Sequence, residues 1–112
     1  MTDGPKASRP VVMWGERAFP PEEGENVLGR DAGLAVTLDW PGVSRRHARI
    51  VLTGVRAILE DLGSKNGTFV AEKRLTAPRA LAPGDTICLG RLLLMFHVPP
   101  TALSTRTEAE PG

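Results

Sequence analysis

A single cysteine, Cys88, is present in the 112-residue chain. One thiol cannot close an internal disulfide or build a metal site, so neither a disulfide scaffold nor a cysteine-ligated metal centre is available. Its place in the strand-like run Thr86–Leu89 makes Cys88 an expected core residue. No apolar run approaches the roughly 20 residues that a membrane-spanning helix needs. The polar opening Met1-Thr2-Asp3-Gly4-Pro5 carries no signal-peptide pattern. A cytoplasmic protein without membrane contact is the resulting expectation. Charge of one sign is missing too. The 14 basic and 13 acidic side chains leave a net charge of +1, against the dense basic face that nucleic-acid binding requires. Eleven of the basic residues are arginines, and with abundant Ala, Gly and Pro they suggest GC-rich bacterial coding. Helical stripes of useful length and internal repeats are both absent. What remains fits one domain with a modest core.

Period two is the pattern that is present. Ala48, Ile50 and Leu52, then Val55, Ala57 and Leu59, are apolar at every second position, as half-buried strands require. Thr53-Gly54 is the expected turn between them. Further short strands read as Pro10–Trp14, Arg17–Phe19, Asn26–Arg30, Leu34–Asp39, Thr68–Val70, Arg74-Leu75, Thr86–Leu89 and Leu92–Val98. Turns fall at Gly15-Glu16, Gly24-Glu25, Asp31–Gly33, Ala71–Lys73, Pro83–Asp85 and Gly90-Arg91. Leu92, Leu94, Phe96 and Val98 form the inward set of the last strand, while Leu93 and Met95 are apolar on the opposite parity. Residues 1–9 and 99–112 lack periodicity and read as a disordered leader and tail.

A hairpin over 48–59 returns its two far ends to one edge. Ser44-Arg45-Arg46-His47 and Gly63-Ser64-Lys65-Asn66-Gly67-Thr68 are thereby brought side by side. That patch holds hydroxyls, an amide, a lysine and arginines, and it can grip an anion. A phosphate group carries nearly two charges and three acceptor oxygens. Arg30 offers a planar fork that matches two of those oxygens. Ser44 offers a short-range hydroxyl donor, Lys65 a mobile point charge and Arg45 a second cation. Asn66 both donates and accepts, as reading an extended peptide backbone requires. Gly67 permits the left-handed turn that brings the loop round. Strand parity joins Ser44 to Asn66 but leaves Arg30 at the far end of Leu34–Asp39, about 17 Å away if that segment is extended. Arg46 and Arg49 read as a solvated strand edge.

In the order Gly29-Arg30, Ser44-x-x-His47, Lys65-Asn66-Gly67-Thr68 and Gly84-Asp85-x-Ile87-x-Leu89-Gly90, these motifs resemble the forkhead-associated (FHA) domain over roughly residues 10–98. The resemblance implies an all-β fold, an FHA-type sandwich of two antiparallel sheets with binding loops at one end. It implies a signalling module that binds phosphothreonine peptides of a Ser/Thr kinase substrate, with no catalysis, cofactor or metal, acting as a monomer. It assigns phosphate contacts to Arg30, Ser44 and Lys65, further contacts to Arg45, and the peptide main chain to Asn66. Gly29, His47, Gly67 and Thr68 become structural residues of the loops. Ala71 departs from the asparagine common in the family three residues after the Asn-Gly-Thr threonine. The alternative is an FHA fold used for assembly without phosphate.

Two enzymatic readings fail on spacing. Gly63–Thr68 lacks the glycine pattern of a nucleotide-binding loop before a helix. Ser44, His47 and Asp61 lack the strand–turn–helix setting of a hydrolase nucleophile, and His47 follows Ser44 too closely.

Overall fold

The computed structural model describes residues 9–99, so the leader and tail expected at the two ends lie outside the described residues, apart from the exposed Arg9 and the half-buried Pro99. Eleven short strands form two packed sheets: β1 (Val11–Trp14), β2 (Arg17–Phe19), β3 (Gly24–Gly29), β4 (Val36–Thr37), β5 (Ala48–Thr53), β6 (Arg56–Asp61), β7 (Thr68–Val70), β8 (Lys73–Arg74), β9 (Arg79–Ala80), β10 (Thr86–Leu89) and β11 (Leu92–His97). One sheet runs β2-β1-β11-β10-β7-β8, the other β4-β3-β5-β6-β9. This is the expected all-β sandwich. Its second sheet is mixed rather than purely antiparallel, because β3 and β4 pair in parallel.

The alternation decides which residues meet between the sheets. Ile50 faces Leu59 and Leu52 faces Ala57 in register across the β5–β6 hairpin, and all four are buried. Leu92, Leu94 and Phe96 point in from β11 against Val12, Ile87, Leu89 and Val70. Val98 packs against this core while staying half-buried.

Several expectations need correction: Gly24-Glu25 is not a turn but the start of β3, paired with Leu52 and Val51, and Arg49 is not at a strand edge but half-buried on β5, between β3 and β6. Val55 is not part of the inward face: Gly54 and Val55 form the two-residue hairpin turn, Val55 is 61% exposed, and the alternation resumes only at Ala57. Cys88 is not core: Ile87 and Leu89 take the inward positions, so Cys88 stands half-buried on the outer side between Phe69 and Leu93. Leu34–Asp39 is not one strand: only Val36–Thr37 pairs, although Val36 and Leu38 are buried as the pattern required. On the outer side of the central strand β11, Leu93 and Met95 are 57% and 45% exposed, so this strand is central without being covered on both faces.

Candidate functional site

β3, β5, β6, β7 and β10 all end or begin at one end of the sandwich, and a lattice of backbone bonds ties their loops together. The Arg30 N–H donates to the Ser44 carbonyl at 3.1 Å and the Asp31 N–H to that of Arg45 at 3.2 Å. The His47 N–H donates to Leu28, the Leu62 N–H to His47, and the Gly90 N–H to Gly67. Arg30 therefore reaches Ser44 through the β3–β5 pairing and not along the chain through Leu34–Asp39. The fully extended segment that separated them by parity never lies between them.

Gly29 is required by this close approach. A β-carbon there would lie 2.1 Å from the Arg45 carbonyl oxygen, inside any permitted contact. Gly67 has φ +89°, in the left-handed region, and a β-carbon would meet the Arg74 guanidinium at 3.2 Å.

His47 is fully buried beneath the loops. Its Nδ1 accepts the Ser44 N–H at 3.0 Å, and its Nε2 lies 2.8 Å from the Gly67 carbonyl. A backbone N–H can only donate and a carbonyl can only accept, so the ring proton sits on Nε2 and is given to Gly67. Burial pushes the imidazole below its ordinary value, against the Gly67 bond and the Asp61 charge, which raise it. His47 is thus a neutral strut between two loops. Both nitrogens are occupied by backbone, so neither is aimed at the Ser44 hydroxyl. That hydroxyl instead accepts the Lys65 N–H at 3.1 Å.

Asp61 organises the second loop, a role that motif reading missed. Its carboxylate accepts the N–H groups of Gly63 and Ser64 at 2.9 and 3.1 Å, and the hydroxyls of Ser64 and buried Thr68. Ser64 Oγ in turn accepts the Gly67 N–H at 2.9 Å. Burial pushes the Asp61 carboxyl up, but these hydrogen bonds outweigh it and hold the group below its ordinary value. An aspartate followed at two and three residues by Gly and Ser is a turn signal, and it was the available clue.

Above the struts lies an open cleft of about 560 Å³ lined by Arg30, Asp39, Val43, Ser44, Lys65 and Asn66, among others. Arg30 Nε donates to the Val43 carbonyl at 2.6 Å, which fixes the guanidinium and leaves its terminal nitrogens for a ligand. Asn66 Nδ2 donates to the Gly42 carbonyl at 2.8 Å. Its side-chain oxygen has no donor among the described residues. Arg30 and Lys65 have no carboxylate within ion-pair distance there; both ion pairs belong to Arg49, with Glu25 and Glu60 on the outer side of the five-stranded sheet. Arg45 does not line the cleft. Its carbonyl is used by Asp31, and its exposed side chain stands outside.

A family model for the FHA domain matches residues 26–90. Mediator of DNA damage checkpoint protein 1 of Rattus norvegicus is 42% identical over 71 residues, which are 62% of this chain and 5% of that protein. FHA domain-containing protein FhaA of Mycobacterium tuberculosis is 42% identical over 83 residues, 72% of this chain and 16% of FhaA. The chain thus spans a small part of these curated relatives, which come from an animal and a bacterium. A solved structure, described as a structural and functional analysis of phosphothreonine-dependent FHA domain interactions, superposes with a TM-score of 0.78 at 33% identity. It covers 83% of this chain and 99% of its own. Every motif from Gly29 to Gly90 falls inside the matched span, on the strands and loops that build the cleft, and the chain belongs to the FHA domain family.

Proposed function

We propose that the cleft binds phosphothreonine in partner proteins of Ser/Thr kinase pathways, and that the chain is a recognition module without catalysis of its own. One observation carries the reading: the Arg30 guanidinium, the Ser44 hydroxyl and Lys65 converge on one open cleft with no carboxylate paired to either cation. A guanidinium fixed by Val43 and a mobile ammonium, neither in an ion pair among the described residues, suit a dianion with three acceptor oxygens. Arg30 and Ser44 take phosphate oxygens, Lys65 adds a mobile charge, and the unpaired oxygen of Asn66 takes a peptide N–H just after the phosphothreonine. Arg45 contributes from the rim, by charge alone. The threonine methyl, absent from phosphoserine, adds selectivity. A cytoplasmic location, where such kinases act on soluble partners, goes with this reading.

Titration calorimetry tests it. A phosphothreonine peptide should bind one-to-one with micromolar affinity, about −8 kcal/mol. The unphosphorylated peptide should bind at least ~30-fold more weakly, since each charge-assisted bond contributes about 1.5–3 kcal/mol. Equal binding of both forms would overturn the assignment. A second reading, assembly without phosphate, draws on the outer side of β11, where Leu93 and Met95 stand exposed beside Met13. Binding to an unphosphorylated partner that Leu93→Ser abolishes and Arg30→Ala leaves intact would favour it.

A further inference from the structure

Gly67 is buried although it stands in a loop, beside the exposed Lys65 and Asn66. Three hydrogen bonds hold its backbone: its N–H donates to Ser64 Oγ, and its carbonyl accepts from His47 Nε2 and the Gly90 N–H. Its remaining side is covered from another strand. A β-carbon on Gly67 would lie 3.2 Å from Cζ and Nε of Arg74 and from Cε1 of Phe69. Arg74 stands directly opposite Phe69 in the β7–β8 pair, with its guanidinium 6.0 Å from the ring centroid. It has no carboxylate within ion-pair distance among the described residues, and it does not line the phosphate cleft. β8 is two residues long and exposed, so pairing alone holds it weakly. Its place is set by the two-residue turn before it, Ala71-Glu72, whose φ values of +49° and +72° both lie in the left-handed region. Such a turn matches the twist of a hairpin, but Asn and Gly are the residues that adopt it at little cost. Ala71 and Glu72 hold it against their own preference, while buried Leu75, whose N–H donates to the Thr68 carbonyl at 2.8 Å, anchors the chain beyond. The hairpin thus carries strain at its tip and delivers Arg74 onto Gly67.

We propose that Arg74 is a positioning residue for peptide binding: it clamps Gly67 against the sandwich and so fixes Asn66, which grips the peptide main chain. The inference rests on the phosphothreonine reading of the cleft and adds to it a residue that touches no ligand. Glycine leaves a left-handed conformation as readily as it enters one, so Gly67 swings unless its free face is held. The guanidinium plane, stacked beside Phe69, holds that face. It also keeps water from the three bonds beneath, where water competes for the Gly67 N–H and carbonyl. Asn66 is the adjoining residue. Its Nδ2 is fixed on the Gly42 carbonyl, and a shift of Gly67 turns its side-chain oxygen away from the peptide N–H. Arg30 and Ser44 have supports of their own, in the Val43 carbonyl and in His47, so their phosphate contacts do not depend on Arg74. A planar guanidinium suits the task because it packs flat on an aromatic ring while its edge stays in water. An ammonium on a flexible stem does not cover the glycine in the same way.

Two probes separate positioning from charge. Fluorescence anisotropy measures a phosphothreonine peptide, and NMR titration measures inorganic phosphate, which offers Asn66 no main chain. Arg74→Ala should bind the peptide about ten-fold more weakly, the scale of one lost hydrogen bond, and bind inorganic phosphate as the wild type does. Arg30→Ala should weaken both. Arg74→Lys, which keeps the charge and gives up the plane, should stay close to Arg74→Ala. Stability is controlled separately by Ala71→Asn with Glu72→Gly, which relieves the turn. Added to Arg74→Ala, that pair should raise the urea midpoint without restoring peptide affinity. Equal weakening of peptide and phosphate, rescued by Arg74→Lys, would make Arg74 a charge acting on the ligand and overturn the proposal. Peptide affinity that returned together with the urea midpoint would reduce Arg74 to scaffold, and unchanged affinity in Arg74→Ala would remove its role altogether. A wild-type protein that bound phosphorylated and unphosphorylated peptide equally would bring down the underlying phosphothreonine reading instead.

Discussion

With both ring nitrogens of His47 engaged by backbone, adding a proton to it must break the bond from the Ser44 N–H. Its folded-state value lies below the ordinary 6.5, so in the window between them the unfolded chain binds more protons than the folded one. The contribution to stability is complete above pH 6.5 and is lost as pH falls through that window. Urea unfolding of the free protein, without ligand whose phosphate also titrates near pH 6, should show lower stability at pH 5.5 than at 7.5. His47→Gln should have less stability throughout and a flatter profile. An unchanged midpoint across this range in the wild type would contradict the strut. Asp61 works in a separate window: held below its ordinary 3.8, it contributes above that pH and loses its contribution as pH falls below it. Arg30 lines the cleft above these struts; if it holds the phosphate as proposed, Arg30→Ala should cost about 2–5 kcal/mol of phosphopeptide binding, the range for removing one partner of a close charge pair. Among the described residues its side chain makes one bond to the fold, to Val43, and its backbone bond to Ser44 survives the substitution, so circular dichroism should show the domain still folded. A melted Arg30→Ala protein would reassign this arginine to the scaffold.

Among the strands, parity carries the sequence into the structure, and its failures have physical causes. Ala48, Ile50, Leu52, Ala57 and Leu59 were legible because one buried face imposes period two. Val55 was not, because a two-residue turn consumes positions without regard to the pattern. Cys88 was ambiguous: Ile87, Cys88 and Leu89 are all apolar, and only pairing with Leu94, Leu93 and Leu92 decides which face is inward. The same pairing predicts unequal effects along β11. Leu94→Ala, at a fully buried position, should cost about 2–5 kcal/mol. Leu93→Ala, its exposed neighbour, should stay within ~0.5–1 kcal/mol. Denaturant midpoints that ranked the two in reverse would mean the strand is flipped by one residue. In the site, Ser44 and Asn66 were legible from the hairpin that separates them. The placing of Arg30 was not, since β3 lies between β4 and β5 and its partner is set by sheet order, which local periodicity does not encode. Asp61 was passed over because its partners are backbone N–H groups and hydroxyls of a loop, which leave no apolar signature.

At the scale of the whole molecule, the phosphate cleft and a neighbouring cleft lined by Asn66, Phe69 and Arg91 share Pro41, Gly42 and Asn66, and the groove they form straddles both sheets. Arg30 and Ser44 flank strands of the five-stranded sheet, while Phe69 and Arg91 belong to the six-stranded one. The segment Leu62–Gly67 is the crossing between them, pinned by Asp61 below and by His47 from the side. A ligand gripping Arg30, Ser44, Lys65 and Asn66 therefore bridges elements that part when the sandwich opens, and it has no binding site in the unfolded chain. Binding should thus act on global stability through mass action: a phosphothreonine peptide at 100 times its Kd adds about 2.7 kcal/mol. With a urea dependence of ~1–3 kcal/mol per molar for a small domain, the unfolding midpoint at 25 °C should rise by about 1–3 M. The unphosphorylated peptide at equal concentration should leave it unmoved. Hydrogen exchange should slow on both sheets together, including at the Gly90 N–H, which is bonded to Gly67 under the groove. If a saturating phosphopeptide protected only the loops and left the urea midpoint where it was, the ligand would be resting on one sheet's edge and the bridging arrangement would be wrong.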